Sequence, residues 1–181
     1  MEQQLAVIKD SYGRLVWTHK THEKQTEIYA KRDFWIKLIT VVLTSLTTVS
    51  LFAVLLTPEM NVKVSAFLSA LSLVFLLSEL VFKYGDKAKE HKMIAKELWE
   101  VKEKYMNLIA DIKASSHEEE PLLKRRDELT EKLAAIYKVA PPTTSGAYKM
   151  ASKALKANME HTFVENEVDS FLPPELRDKK E

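Results

Sequence analysis

A chain of 181 residues is the size of one domain. Lys plus Arg number 27 against 26 Asp plus Glu, a formal charge of +1, so no DNA or RNA binding is expected of a chain without a basic excess. The lack of cysteine excludes a disulfide framework, a thiolate metal site, a cysteine nucleophile and palmitoylation, and the 3 glycines leave little material for a phosphate-binding loop.

Residues 1–37 read as a charged helix. Leu5, Ile8, Tyr12, Leu15, His19, His22 and Tyr29 recur at a spacing of three and four, a seam of coiled-coil type. His19 and His22 lie one turn apart and are compatible with zinc, but a third ligand and the His-Glu-x-x-His order are missing. Both fall on the seam, where packing accounts for them.

Residues 38–56 are 19 consecutive uncharged positions, 12 of them Leu, Ile, Val or Phe. At helical rise this run is ~28 Å long, the thickness of a bilayer's hydrocarbon core. Residues 57–63 form a polar break, read as an external loop, and residues 64–82 form a second apolar run whose one charge is Glu79. A soluble domain of this size has little room to bury two such runs, and the long charged segment before the first fits a signal peptide badly. The reading is a two-span hairpin. Lys20, Lys24, Lys31, Arg32 and Lys37 precede it and Lys83, Lys87, Lys89, Lys92 and Lys96 follow, whereas the loop offers only Lys63. Both termini are therefore expected in the cytoplasm, with Phe34, Trp35 and Tyr84 at the membrane edge.

The spans carry hydroxyls in stripes. On a helical wheel Thr40, Thr44, Thr47 and Thr48 share an arc of roughly 100°, and Ser65, Ser69, Ser72 and Glu79 one of roughly 80°. Polar groups are expensive in lipid, so these stripes face water or protein. They are pore-lining candidates if several hairpins enclose a lumen, or interhelical contacts if serine and threonine let the two helices approach. Glu79 has the same two readings. It is an acidic ring at the inner mouth, favouring cations, or an i,i+4 partner of Lys83.

Residues 83–165 read as cytoplasmic helices. The second span is expected to continue unbroken through Leu98, Val101, Tyr105, Leu108 and Ile112, with Gly85 as the one weak point. Residues 115–121 form a turn, and Leu122, Leu129, Leu133 and Ile136 share a face of the next helix. Pro141 and Pro142 stop that helix. Thr144 caps a last one with a small-residue stripe at Ala147, Ala151, Ala154 and Asn158. Residues 166–181 form a tail with an anchor at 171–174. Lys124, Arg125 and Arg126 are the densest basic patch, a candidate contact for a nucleotide phosphate or anionic lipid headgroups, or simply an exposed helix face. No strand pattern occurs, so the fold class is all-α: a transmembrane hairpin with a cytoplasmic helical bundle.

Several of these features resemble the SLATT family, the SMODS- and SLOG-associating two-transmembrane effectors. They are the charged helix with Trp17, Lys20, Glu23 and Tyr29 leading into the first span, and the short hairpin loop. The long helix with Trp99 and Tyr105, the Ala-Pro-Pro-Thr-Thr144 break and the closing segment from Glu167 to Arg177 complete the set. The resemblance implies an effector of a prokaryotic conflict system in the bacterial inner membrane. Such a protein oligomerises with itself in the bilayer and forms pores when released by a nucleotide second messenger or an infection-sensing partner. It also implies an operon-encoded sensor or messenger synthase beside it. The residues alone leave room for a membrane-anchored adaptor that recruits a partner protein. No catalytic motif and no cofactor site is found, and no enzymatic reaction is expected.

Overall fold

The computed structural model describes residues 2–54, 58–114 and 119–160. The expected tail at 166–181 with its anchor at 171–174, residues 115–118 of the expected turn and the end of the first span fall outside them, and the rest of that turn, residues 119–121, is already helical. Every described element is a helix: α1 (Glu2–Ala53), α2 (Pro58–Phe82), α3 (Tyr84–Ala114), α4 (Glu119–Val139) and α5 (Ser145–Lys156).

Helix α1 has 52 residues without a break, about 78 Å at helical rise. Its first half belongs to a bundle and its second half to the hairpin with α2. Nothing in the sequence interrupts it, since its one glycine, Gly13, precedes the apolar stretch. The expected loop at 57–63 is largely helical, because α2 already starts at Pro58, a residue pre-set for a first turn. In each of the two long helical stretches only 6% of the most apolar window is buried. Val49, Phe52, Phe67, Leu80 and Val81 are all more than 60% exposed. A soluble core helix would bury these side chains, and their exposure is what lipid requires.

The expectation of an unbroken passage from the second span into the long helix is corrected at one residue. Lys83 has φ 47°, a left-handed conformation that separates α2 from α3. The join stays hydrogen-bonded, with Lys83 N–H donating to Glu79 O and Lys87 N–H to Lys83 O, each at 3.1 Å. A non-glycine residue there costs about 1–2 kcal/mol, so the break lies at Lys83 and not at Gly85. The glycine serves close approach instead. A Cβ at Gly85 would lie 2.9 Å from Asp33 Oδ1, so a larger residue would displace the Asp33 carboxylate from the start of α3, where its charge suits a helix N-terminus.

The bundle core matches the predicted faces. Ile8 and Leu15 of α1 pack with Ile94, Leu98, Val101, Tyr105, Leu108 and Ile112 of α3 and with Leu122, Leu129, Leu133 and Ile136 of α4. Burying each large apolar side chain contributes about 1.5–3 kcal/mol. Helix α4 folds back along α3, where Tyr105 Oη and Thr130 Oγ1 lie 3.3 Å apart, and it reaches α1 through an Arg126–Gln4 hydrogen bond. Helix α5 lies on α1 through fully buried Ala147 and Ala151, so the small side chains let the two backbones come close. Asn158, expected on the same stripe, lies beyond the helix end and is exposed.

Candidate functional site

The hairpin divides the two predicted stripes between an inner and an outer face. Ser65 is 3% exposed and lies 2.7 Å from Ser50 Oγ across the hairpin, while also donating to its own helix at Asn61 O. Asn61 Nδ2 donates to Ala53 O at 3.0 Å, satisfying a carbonyl at the end of α1. Thr40, Thr47 and Ser72 are half-buried, whereas Thr44, Thr48 and Ser69 are exposed. The interhelical reading thus describes Ser65 within one hairpin, and its partner is Ser50, which is not among the predicted stripe residues.

The hydroxyls of α1 are internally satisfied. Thr40, Thr44, Thr47 and Thr48 each donate to the carbonyl four residues back, at 2.7–3.0 Å. Ser72 does the same to Leu68 O at 2.8 Å. Such back-bonding removes most of the cost of a hydroxyl in an apolar medium while leaving oxygen lone pairs on the surface. Thr44 and Thr48, one turn apart, form the outward polar strip of α1.

Glu79 does not pair with Lys83 as the i,i+4 reading expects. Lys83 has left the helical conformation of α2, and Glu79 Oε1 instead lies 3.8 Å from Lys37 Nζ on the opposite helix. Lys37 also donates to Asp33 Oδ2 at 2.9 Å. Its pKa is held above the usual lysine value by that hydrogen bond, outweighing desolvation, with Asp33, Glu79 and Asp86 adding attraction. The end of the hairpin next to the bundle is therefore a chain of alternating charge, Asp33–Lys37–Glu79, with the Glu79 side chain 38% exposed.

Farther into the bundle, His22 and His91 join α1 to α3 through Nδ1 atoms 2.9 Å apart. One ring donates and the other accepts, which requires that at least one be neutral. Burial, then the nearby His91 and His19, lowers the His22 pKa to about 4. Burial also lowers that of His91 against the pull of Glu90. The His19 and His22 pair considered for zinc is thus divided, with His22 committed to His91. Among the described residues no three His, Cys, Asp or Glu side chains converge as a metal site. His91 was missed in the sequence, although it extends the Ile94–Leu98–Val101 seam by one step.

Gln25 was missed as well. It is fully buried, and its Oε1 accepts from both Thr144 N–H (2.9 Å) and Thr144 Oγ1–H (2.8 Å), while Thr144 Oγ1 accepts from Ala147 N–H. The predicted cap of α5 is thereby tied to α1. Next to it Trp17 stacks on Tyr148 with centroids 5.4 Å apart.

The basic patch at Lys124, Arg125 and Arg126 lies near the far end of the bundle. Arg125 is paired with Asp111 at 2.7 Å and Arg126 with Asp127 at 2.6 Å, leaving Lys124 exposed. Asp111 is 27 positions along α3 from Tyr84, or about 40 Å at helical rise. The patch therefore lies far from the end of the hairpin.

The model of a protein family described as SMODS and SLOG-associating 2TM effector domain family 4 matches residues 4–167. No curated protein and no solved structure matches the chain.

Proposed function

This chain belongs to the SMODS and SLOG-associating 2TM effector domain family 4, and from that premise we propose that it is the pore-forming membrane effector of a prokaryotic conflict system. Several copies assemble in the bacterial inner membrane, with both termini in the cytoplasm and no enzymatic reaction involved. A nucleotide second messenger or an infection-sensing partner, encoded beside it, releases the pore. Loss of the membrane potential then aborts the infection.

One observation carries the reading. The hairpin satisfies its inner polar groups within itself, at Ser50–Ser65, yet still presents Thr44, Thr48 and Ser69 on faces of otherwise apolar helices. Thr44 and Thr48 are back-bonded to their own helix, which leaves their lone pairs and the Ser69 hydroxyl as the outward polar groups; two helices enclose no lumen, so these find water or protein only against further copies. Because α1 runs unbroken from the bundle into the hairpin, a change in bundle packing reaches the spans directly. A trigger acts by binding one packing better than the other.

The Ser50–Ser65 contact favours a second reading in which the hairpin only anchors an adaptor bundle. The two separate on exchange of residues 38–82 for an unrelated hairpin. A pore loses ion leak from reconstituted liposomes under this exchange, whereas an adaptor keeps its partner recruitment.

A further inference from the structure

An open cleft of about 690 Å³ lies between α1 and α3 on the cytoplasmic side of the hairpin. Lys20 and Lys24 line its α1 wall, and Lys92, Lys96 and Trp99 line its α3 wall. The spacing of these last three, four and then three residues, puts them on one helical face. The α1 lysines are already matched: Lys20 lies 2.9 Å from Glu23 and Lys24 2.9 Å from Glu27. A further anion reaches in from beyond α5, where Glu160 Oε2 lies 2.7 Å from Lys20 Nζ and 3.9 Å from Lys24 Nζ. The hydrogen bond from Lys20, ahead of that from Asn158, keeps the Glu160 carboxyl below the usual carboxylate range. On the α3 wall Lys92 and Lys96 have no ion pair among the described residues, and Trp99 is 51% exposed.

This combination is selective in its chemistry. The lining balances Lys20, Lys24, Lys92 and Lys96 with Glu23, Glu27, Glu100 and Glu160. Glu23 and Glu27 match the α1 lysines and Glu100 pairs with Lys132 at 3.3 Å, so Lys92 and Lys96 are the cations left to draw in an anion. A phosphate monoester carries about −1.5 to −2 charges and three acceptor oxygens, a closer match than a carboxylate to two unpaired lysines. The exposed indole beside them offers a face on which a planar ring stacks. We infer that this cleft binds a small phosphate ester carrying a planar ring, which takes the place of Glu160 between α1 and α3. A lipid headgroup shares the phosphate but not the ring. The consequence for the pore rests on the effector reading: α1 and α3 lead into the two spans, so a ligand held between them acts on both. Displacing Glu160 also detaches the segment beyond α5 from Lys20.

The test is isothermal titration of the full chain in detergent micelles with adenosine 5′-monophosphate, with inorganic phosphate and adenosine as separate arms. Saturable binding of the monophosphate is expected, at least tenfold tighter than either arm. It should weaken at least tenfold in the double variant Lys92→Glu/Lys96→Glu and tighten severalfold in Glu160→Gln. Lys92 and Lys96 are exposed, so circular dichroism should show the double variant as helical as the wild type. No saturable heat with the monophosphate overturns the site, as does an affinity unchanged in the double variant. Equal binding of inorganic phosphate overturns the role of Trp99 and the planar ring. The titration needs no membrane potential. A chain that binds yet never leaks ions keeps the site and loses the pore, and one that leaks without binding does the reverse.

Discussion

The Nδ1 atoms of His22 and His91 meet 2.9 Å apart inside the α1–α3 contact, where both rings are buried. This pair sits between the seam that builds the bundle and the residues that lead into the spans. It holds only while protons are scarce, because a second proton removes the acceptor and places two cations in contact.

The pH dependence follows in sign. The His22 pKa falls from 6.5 to about 4 on folding, through burial first and then through His91 and His19. The unfolded chain therefore binds more protons than the folded one between those values. Stability is fully present above about pH 6.5 and is lost as the pH falls towards 4, by an order of 2–3 kcal/mol. Thermal unfolding in detergent at pH 7.5 and 5.0 should show this loss, and His22→Phe should flatten it. An unchanged midpoint between the two pH values contradicts the assignment.

Gln25 gives a second prediction. Replacing it by Ala removes the acceptor for both Thr144 groups and opens a cavity, at a cost of about 1–3 kcal/mol. The loss should be local to α5. Hydrogen exchange should quicken at Ala147, Ala151 and Ala154 while the α3 seam stays protected. Uniform quickening would mean that α5 is not a separately docked element.

These two residues also mark the limit of what the sequence reveals. Apolar seams announce themselves by period, which is why Ile8, Leu15, Leu98 and Leu129 were legible, and the Thr144 cap was legible from its residue type and the prolines before it. Gln25 and His91 sit on the same seams but are polar, so periodicity passes over them until a partner on another helix is known. The spans were legible from length and charge alone. Their inward and outward faces were not, since Ser65 and Ser69 share an arc and differ only in where α1 lies. The Lys83 break escaped notice because nothing but the backbone angle marks it.

The bundle end of the hairpin gives a third prediction. Glu79 is matched by Lys37 across the hairpin, so Glu79→Gln removes one of the lysine's two carboxylate partners and leaves it only Asp33. Cation preference, read from reversal potentials in asymmetric salt, should fall, and Lys37→Gln should raise it. The hairpin itself should persist in both variants, because a half-exposed ion pair contributes at most about 1 kcal/mol. Reversal potentials unmoved by both changes would place Glu79 away from the conduction path.

Membrane potential in bacteria expressing this chain in excess, read with a voltage-sensitive dye, tests the pore most directly. The account predicts rapid depolarisation by the wild type and none by the triple variant Thr44→Val/Thr48→Val/Ser69→Leu, with equal amounts of both chains in the membrane fraction. A steady potential with the wild type inserted that persists when the sensor or messenger synthase encoded beside it is co-expressed, or equal depolarisation by the variant, would contradict a pore built on those outward hydroxyls.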